Sequence, residues 1–126
     1  MGTAPTSIAE AVPNGTLQAP AANGVAGVCP YFHEAVELLG KRWTGAIVLA
    51  LLGGSMRFSA ISHAIPQMSD RLLSIRLKEL EAFGIVAREV SEVAPVRVEY
   101  ELTSKGRALE PAISSLRAWA CDWLRD

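Results

Sequence analysis

Apolar spacing predicts four helices from Cys29 onward before the period changes. The first opens at Cys29-Pro30, because proline lacks only an amide that would be unpaired in a first turn. Ala35, Leu38 and Leu39 share one of its faces, and Gly40 ends it. Thr44–Leu52 is almost wholly apolar, which predicts a buried central helix stopped by Gly53-Gly54. Arg57-Phe58-Ser59 opens a short helix over Phe58–Ala64, with Phe58, Ile61, Ala64 and Ile65 at helical spacing and Pro66 closing it. A new helix starts at Ser69, so the turn between them is tight. Two helices so joined must cross steeply, which is helix-turn-helix geometry.

The helix Ser69–Phe83 carries the most information. Ser69 is a good N-cap, and Asp70 suits the positive end of the helix dipole. Leu73, Leu77 and Leu80 form one stripe for the core. At about 100° per residue, Arg71, Ile75, Lys78 and Ala82 lie opposite that stripe, with Ser74 at its flank. After Gly84 the period falls to two. Ile85–Ser91 and Arg97–Leu102 read as antiparallel strands joined by Glu92–Val96, which contains Pro95. A hairpin directly after such a helix is a wing. Thr103-Ser104-Lys105-Gly106 then begins a last helix to about Leu124, with Leu109, Ile113, Leu116, Ala120, Trp123 and Leu124 as a wide apolar stripe. The expected fold is mainly α with a small β-hairpin, a winged helix-turn-helix over residues 29–126.

Composition changes this picture at the ends. Residues 1–28 are rich in Ala, Pro, Gly and Thr, with Glu10 as their one charge, so they are expected to form a flexible arm. The longest apolar run, Ala46–Leu52, is seven residues. A bilayer span needs about 20. The first residues carry no positive charge and no continuous apolar stretch, so no secretory signal is expected. Two cysteines without framework spacing suit a reducing compartment, which points to the cytoplasm. The net charge is −1, yet Lys41–Arg107 holds ten Lys/Arg against seven Asp/Glu, a local +3. A small DNA-binding domain needs a basic face rather than a basic whole.

These residues resemble a known family. Cys29-Pro30, Leu38-Leu39-Gly40-Lys41-Arg42-Trp43, Arg57-Phe58-Ser59, Ser69-Asp70-Arg71-Leu72-Leu73-Ser74, Leu77-Lys78-Glu79-Leu80-Glu81, Gly84-Ile85-Val86, Val98-Glu99-Tyr100 and Leu102-Thr103-Ser104-Lys105-Gly106 match, in order and spacing, the HxlR-type bacterial transcription regulators, relatives of the MarR winged-helix group. The resemblance implies a homodimer built from the first and last helices, with one recognition helix per subunit in a major groove of double-stranded DNA. It also implies that some members sense oxidants or electrophiles through a cysteine near the N-terminus. This chain departs at Ile75, where the family often has a polar residue such as Gln.

Each candidate has a plain alternative. Arg71, Ser74 and Lys78 can reach base edges or phosphates, and Ile75 can pack on a thymine methyl; the bland reading is a solvated helix face. Ser69 caps the same turn. Arg57 and Ser59 open the preceding helix, and Arg97 with Arg88 lies on the wing. Phosphate contact is the expected role of Arg57 and Arg97, against ion pairs with Glu89, Glu92 or Glu99. For Arg76 a phosphate contact and an internal Glu pair stand equally open. Trp43 is expected as a core anchor, with stacking of Arg42 on its ring as the alternative. At a helix N-terminus the Cys29 thiolate is favoured by unpaired amides, which raises its reactivity and makes it the candidate redox sensor; the alternative is an inert cap. Cys121 is expected to be a small buried filler. Trp119 and Trp123, four apart, are expected to pack between subunits at the dimer interface, with lining an aromatic ligand pocket there as the alternative. Cys29 and His33, four apart, could face one metal, but a structural zinc needs four ligands and only His63 and Cys121 remain as N/S donors, so no metal is expected. No cofactor is expected either.

Three functions compete. No Ser/His/Asp grouping, phosphate loop or paired-acid motif suggests an enzyme, and no catalytic residue is assigned. A winged helix used only for protein–protein contact would be expected to show a more apolar face than Arg71, Ser74 and Lys78. A DNA-binding regulator, responsive to oxidants, electrophiles or a small ligand, fits best.

Overall fold

Helices dominate the structure, a computed structural model that describes residues 29–125. The expected N-terminal arm lies outside the described residues. Two compact units divide at Lys41 and Arg42. In the first, α1 (Pro30–Leu39) starts from Cys29, whose extended backbone and Sγ cap the Phe32 amide at 3.4 Å. Gly40 ends it by donating to the Val36 carbonyl at 2.7 Å. Leu38 is buried, whereas Tyr31, Phe32 and Val36 are exposed.

The second unit is the winged helix. Its elements are α2 (Thr44–Leu51), β1 (Met56–Arg57), α3 (Phe58–Ala64), α4 (Asp70–Ala82), β2 (Val86–Val90), β3 (Val98–Leu102), α5 (Ser104–Arg107) and α6 (Glu110–Trp123). Helix α2 buries Ile47, Val48 and Leu51 and packs on α3, whose Ile61 is buried too, and α4 buries its Leu73, Leu77 and Leu80 stripe. All seven side chains are shut off from solvent. Full burial of such a side chain is worth about 1.5–3 kcal/mol, so these residues fix how the helices sit. Thr44 is buried with them, and its Oγ1 has no hydrogen-bond partner among the described residues.

The end of α4 explains how the chain turns into the sheet. Gly84 takes a left-handed φ of 77°. The Gly84 amide then bonds the Glu81 carbonyl at 3.0 Å and the Ile85 amide bonds the Leu80 carbonyl at 2.9 Å. This is a Schellman closure, which only a residue tolerant of positive φ makes cheaply. Lys105 adds a bond from Nζ to the Phe83 carbonyl at 2.6 Å.

Three expectations are corrected. The hairpin is part of a three-stranded antiparallel sheet in the order β1-β3-β2, because Met56 pairs with Tyr100 and Arg57 with Glu99 on the free edge of β3. The last helix is two helices. The chain breaks at Ala108-Leu109, and Pro111 restarts it in the first turn of α6, where its missing amide costs nothing. Trp43 is no core anchor: it stands half-buried at the N-cap of α2 in the left-handed region, φ 74°, with the Arg42 guanidinium 5.2 Å from its ring centroid.

Candidate nucleic-acid interface

Helix α4 begins with a well-made cap. Ser69 Oγ accepts the Leu72 amide at 3.1 Å, and Asp70 Oδ1 accepts the Ser62 hydroxyl at 2.7 Å. That second bond adds to the dipole role expected of Asp70. It ties α3 to α4 across the tight turn and so helps fix their crossing. With Leu73, Leu77 and Leu80 buried, Arg71, Ile75, Lys78 and Ala82 are exposed and Ser74 is half-buried at their edge. Among the described residues Arg71 and Lys78 have no hydrogen-bond or ion-pair partner, so both cations are free to meet a ligand.

Arg76 is different. Its Nε donates to the Arg42 carbonyl at 2.9 Å and its NH1 meets Glu79 Oε1 at 3.2 Å, with the side chain 16% exposed. The internal pair left open by the sequence is therefore made. This cation on α4 faces the protein.

The flanking positions lie on separate elements. Arg57 is exposed in β1 and is also the N-cap of α3, and Ser59 is exposed in the first turn of α3. Glu99, opposite Arg57 in the sheet, accepts the Ser55 hydroxyl at 3.1 Å. Arg97 is exposed where the wing re-enters β3, and its carbonyl receives the Ser91 amide at 2.8 Å. Within the described residues neither Arg57 nor Arg97 makes an ion pair. The sheet is buried where Val86 pairs with Leu102 and becomes exposed toward Val90, so β2 and β3 project as a wing.

The cysteines sit apart in the sequence and differ in setting. Cys29 is partly buried as the N-cap of α1. Cys121 is exposed on α6, which corrects its expected role as a buried filler. Both thiols are free. Trp119 and Trp123, also on α6, are 51% and 73% exposed, and Leu116 and Leu124 are exposed with them, so the stripe of α6 buries only Ile113 in this unit. No cluster of His, Cys, Asp or Glu suited to a metal occurs among the described residues, and none of their helices is long and apolar enough to cross a membrane.

A capped helix presenting free cations beyond a tight turn, followed by a projecting hairpin, defines a winged helix-turn-helix protein. The chain belongs to the HxlR-like helix-turn-helix family, whose pattern it matches over residues 38–126. It is 52% identical over 97 residues to the HTH-type transcriptional regulator YvaP of Bacillus subtilis, covering 77% of this chain and 90% of that protein. The solved structure of reduced YodB from the same organism superposes with a TM-score of 0.71 at 45% identity, covering 76% of this chain and 94% of that one. YodB has also been solved diamide-treated and quinone-bound. The oxidised form of the redox regulator HypR gives a TM-score of 0.72 at 37% identity, covering 78% and 99%. The chain is accordingly an HTH-type transcriptional regulator.

Proposed function

We propose that this regulator works in the cytoplasm, binds operator DNA as a homodimer, and changes its occupancy when an oxidant or electrophile reacts with Cys29. The observation that carries the DNA reading is the unpartnered face Arg71, Ile75 and Lys78 beside the capped start of α4. Arg71, Ser74 and Ile75 read base edges, Lys78, Arg57 and Arg97 hold phosphates, and Ser59 and Ser69 stand close to the backbone. A second copy covers the exposed Trp119 and Trp123 of α6, since an apolar stripe left open in a small unit favours burial against a partner. Footprinting on the intergenic DNA upstream of the chain's own coding sequence tests this. Two protected half-sites at least about one helical turn apart, with affinity falling steeply as salt rises, are expected. A single half-site would remove the dimer.

The sensing role of Cys29 is supported by its place as a helix cap and by relatives solved in reduced, diamide-treated, quinone-bound and oxidised states. Cys29→Ser keeps an oxygen to cap Phe32 and removes the thiol, so folding should be preserved. Diamide is expected to change the operator affinity of the wild type by about 5–150-fold, the usual size of coupling between two sites. The serine variant should not respond. An equal response in both proteins would strike Cys29 from the mechanism.

A further inference from the structure

We propose that Arg76 is a positioning residue of the recognition helix, fixing the rotation of α4 by bonding the strained corner at Arg42-Trp43. The proposal rests on α4 reading DNA, and concerns how its reading face is aimed.

The leucine stripe sets which face of α4 looks outward, but not its fine rotation. Burial of Leu73, Leu77 and Leu80 holds α4 to the core, but apolar attraction is non-directional and leaves small rolls about the helix axis inexpensive. Hydrogen bonds supply direction. At about 100° per residue, Asp70 and Arg76 fall on opposite flanks of the stripe. Asp70 accepts from Ser62 at 2.7 Å near the first turn, and Arg76 donates to the Arg42 carbonyl at 2.9 Å near the middle. Two directional bonds, one on each flank, stop rolling in either sense. Ile75 is the residue immediately before Arg76, so any roll permitted there is passed directly to the reading face.

The acceptor is itself held rigidly. Trp43 is the one non-glycine among the described residues with positive φ, and a bulky aromatic adopts that region only when its surroundings impose it. Arg42 stacks 5.2 Å above the Trp43 ring, and the Trp43 carbonyl receives the Ile47 amide of α2 at 3.0 Å. The Arg42 carbonyl is thus anchored to the most buried helix. Glu79 holds the other side of the guanidinium fork at 3.2 Å, pre-setting it toward that carbonyl.

Arg76→Met and Arg76→Lys separate positioning from phosphate contact. The probes are a duplex selected from a random-sequence pool by the wild-type protein and a mixed-sequence duplex of equal length. Both variants are expected to lose about tenfold or more in affinity for the selected duplex, the weight of a misaimed base contact. Affinity for the mixed duplex and the slope of log K against log salt should stay at wild-type values. Lysine restores a point charge but not the fork, so it rescues a phosphate contact and does not rescue positioning. Full rescue by Arg76→Lys, a lowered salt slope in Arg76→Met, or wild-type affinity in a merely less stable variant would each overturn the proposal. If Arg76→Met does not fold, Arg76→Lys carries the same comparison. Failure of the DNA reading would show separately, as a wild-type protein that selects no sequence from the pool.

Discussion

Arg71→Ala is expected to bring operator affinity down toward that for unrelated DNA while leaving the fold intact. Arg71 sits at the start of α4, exposed and without a partner among the described residues, so its removal unpairs nothing inside the protein. A guanidinium at this place can bond two acceptors of guanine at once, and losing such a contact costs about 1–3 kcal/mol. In the proposed homodimer both copies would be lost together. The phosphate contacts proposed for Lys78, Arg57 and Arg97 remain, and they hold operator and unrelated DNA alike. Lys78→Ala makes the contrast: as a phosphate contact its loss should weaken all sequences alike and lower the salt slope by about one per site. Binding curves on operator and mixed DNA at several salt concentrations distinguish the two. Unchanged operator affinity for Arg71→Ala would remove the base-reading assignment.

The parts of this protein legible in its sequence are those governed by period and by terminal residues. Leu73, Leu77 and Leu80 announced the buried face of α4, and with it the exposed face opposite. Ser69, Gly40 and Gly84 marked boundaries because capping and positive φ leave few alternatives. What escaped was set by contacts distant in sequence. Met56–Arg57 is too short to show alternation, and is a strand only because β3 offers a free edge. Pro111 lay within an apolar stripe that runs on through α5 and α6, so the break was hidden by good periodicity. Trp43 looked like core because it is large and apolar; its backbone instead turns the chain into α2, and Arg42 covers the ring. Arg76 and Arg71 are the same residue type on one helix, five positions apart, and it is the Arg42 carbonyl, distant in sequence, together with Glu79 that turns Arg76 inward.

Gly106→Ala should be the most damaging single methyl added to the winged unit. Gly106 is buried, and a Cβ there would lie 2.3 Å from the Ile85 carbonyl oxygen and 3.1 Å from Leu102 Cδ2. Its φ lies outside the left-handed region, so in open space alanine would stabilise by about 0.4–1 kcal/mol through the unfolded chain. The clash reverses that sign. The obstructing atom is backbone, and it is already engaged: the Ile85 carbonyl accepts the Thr103 amide at 3.0 Å, the bond that seats α5 against the start of the wing. Relief therefore requires moving β2 or α5, not a side-chain tip. Overpacking of this kind costs about 1–3 kcal/mol, and the upper end is expected here. Gly84→Ala provides the calibration, since nothing but the Lys105 side chain lies near its Cβ and its cost of about 1–2 kcal/mol comes from the left-handed φ alone. Urea unfolding at matched protein concentration should show a lower midpoint for Gly106→Ala with an unchanged slope. A midpoint equal to wild type would mean that the wing and α5 do not approach each other this closely.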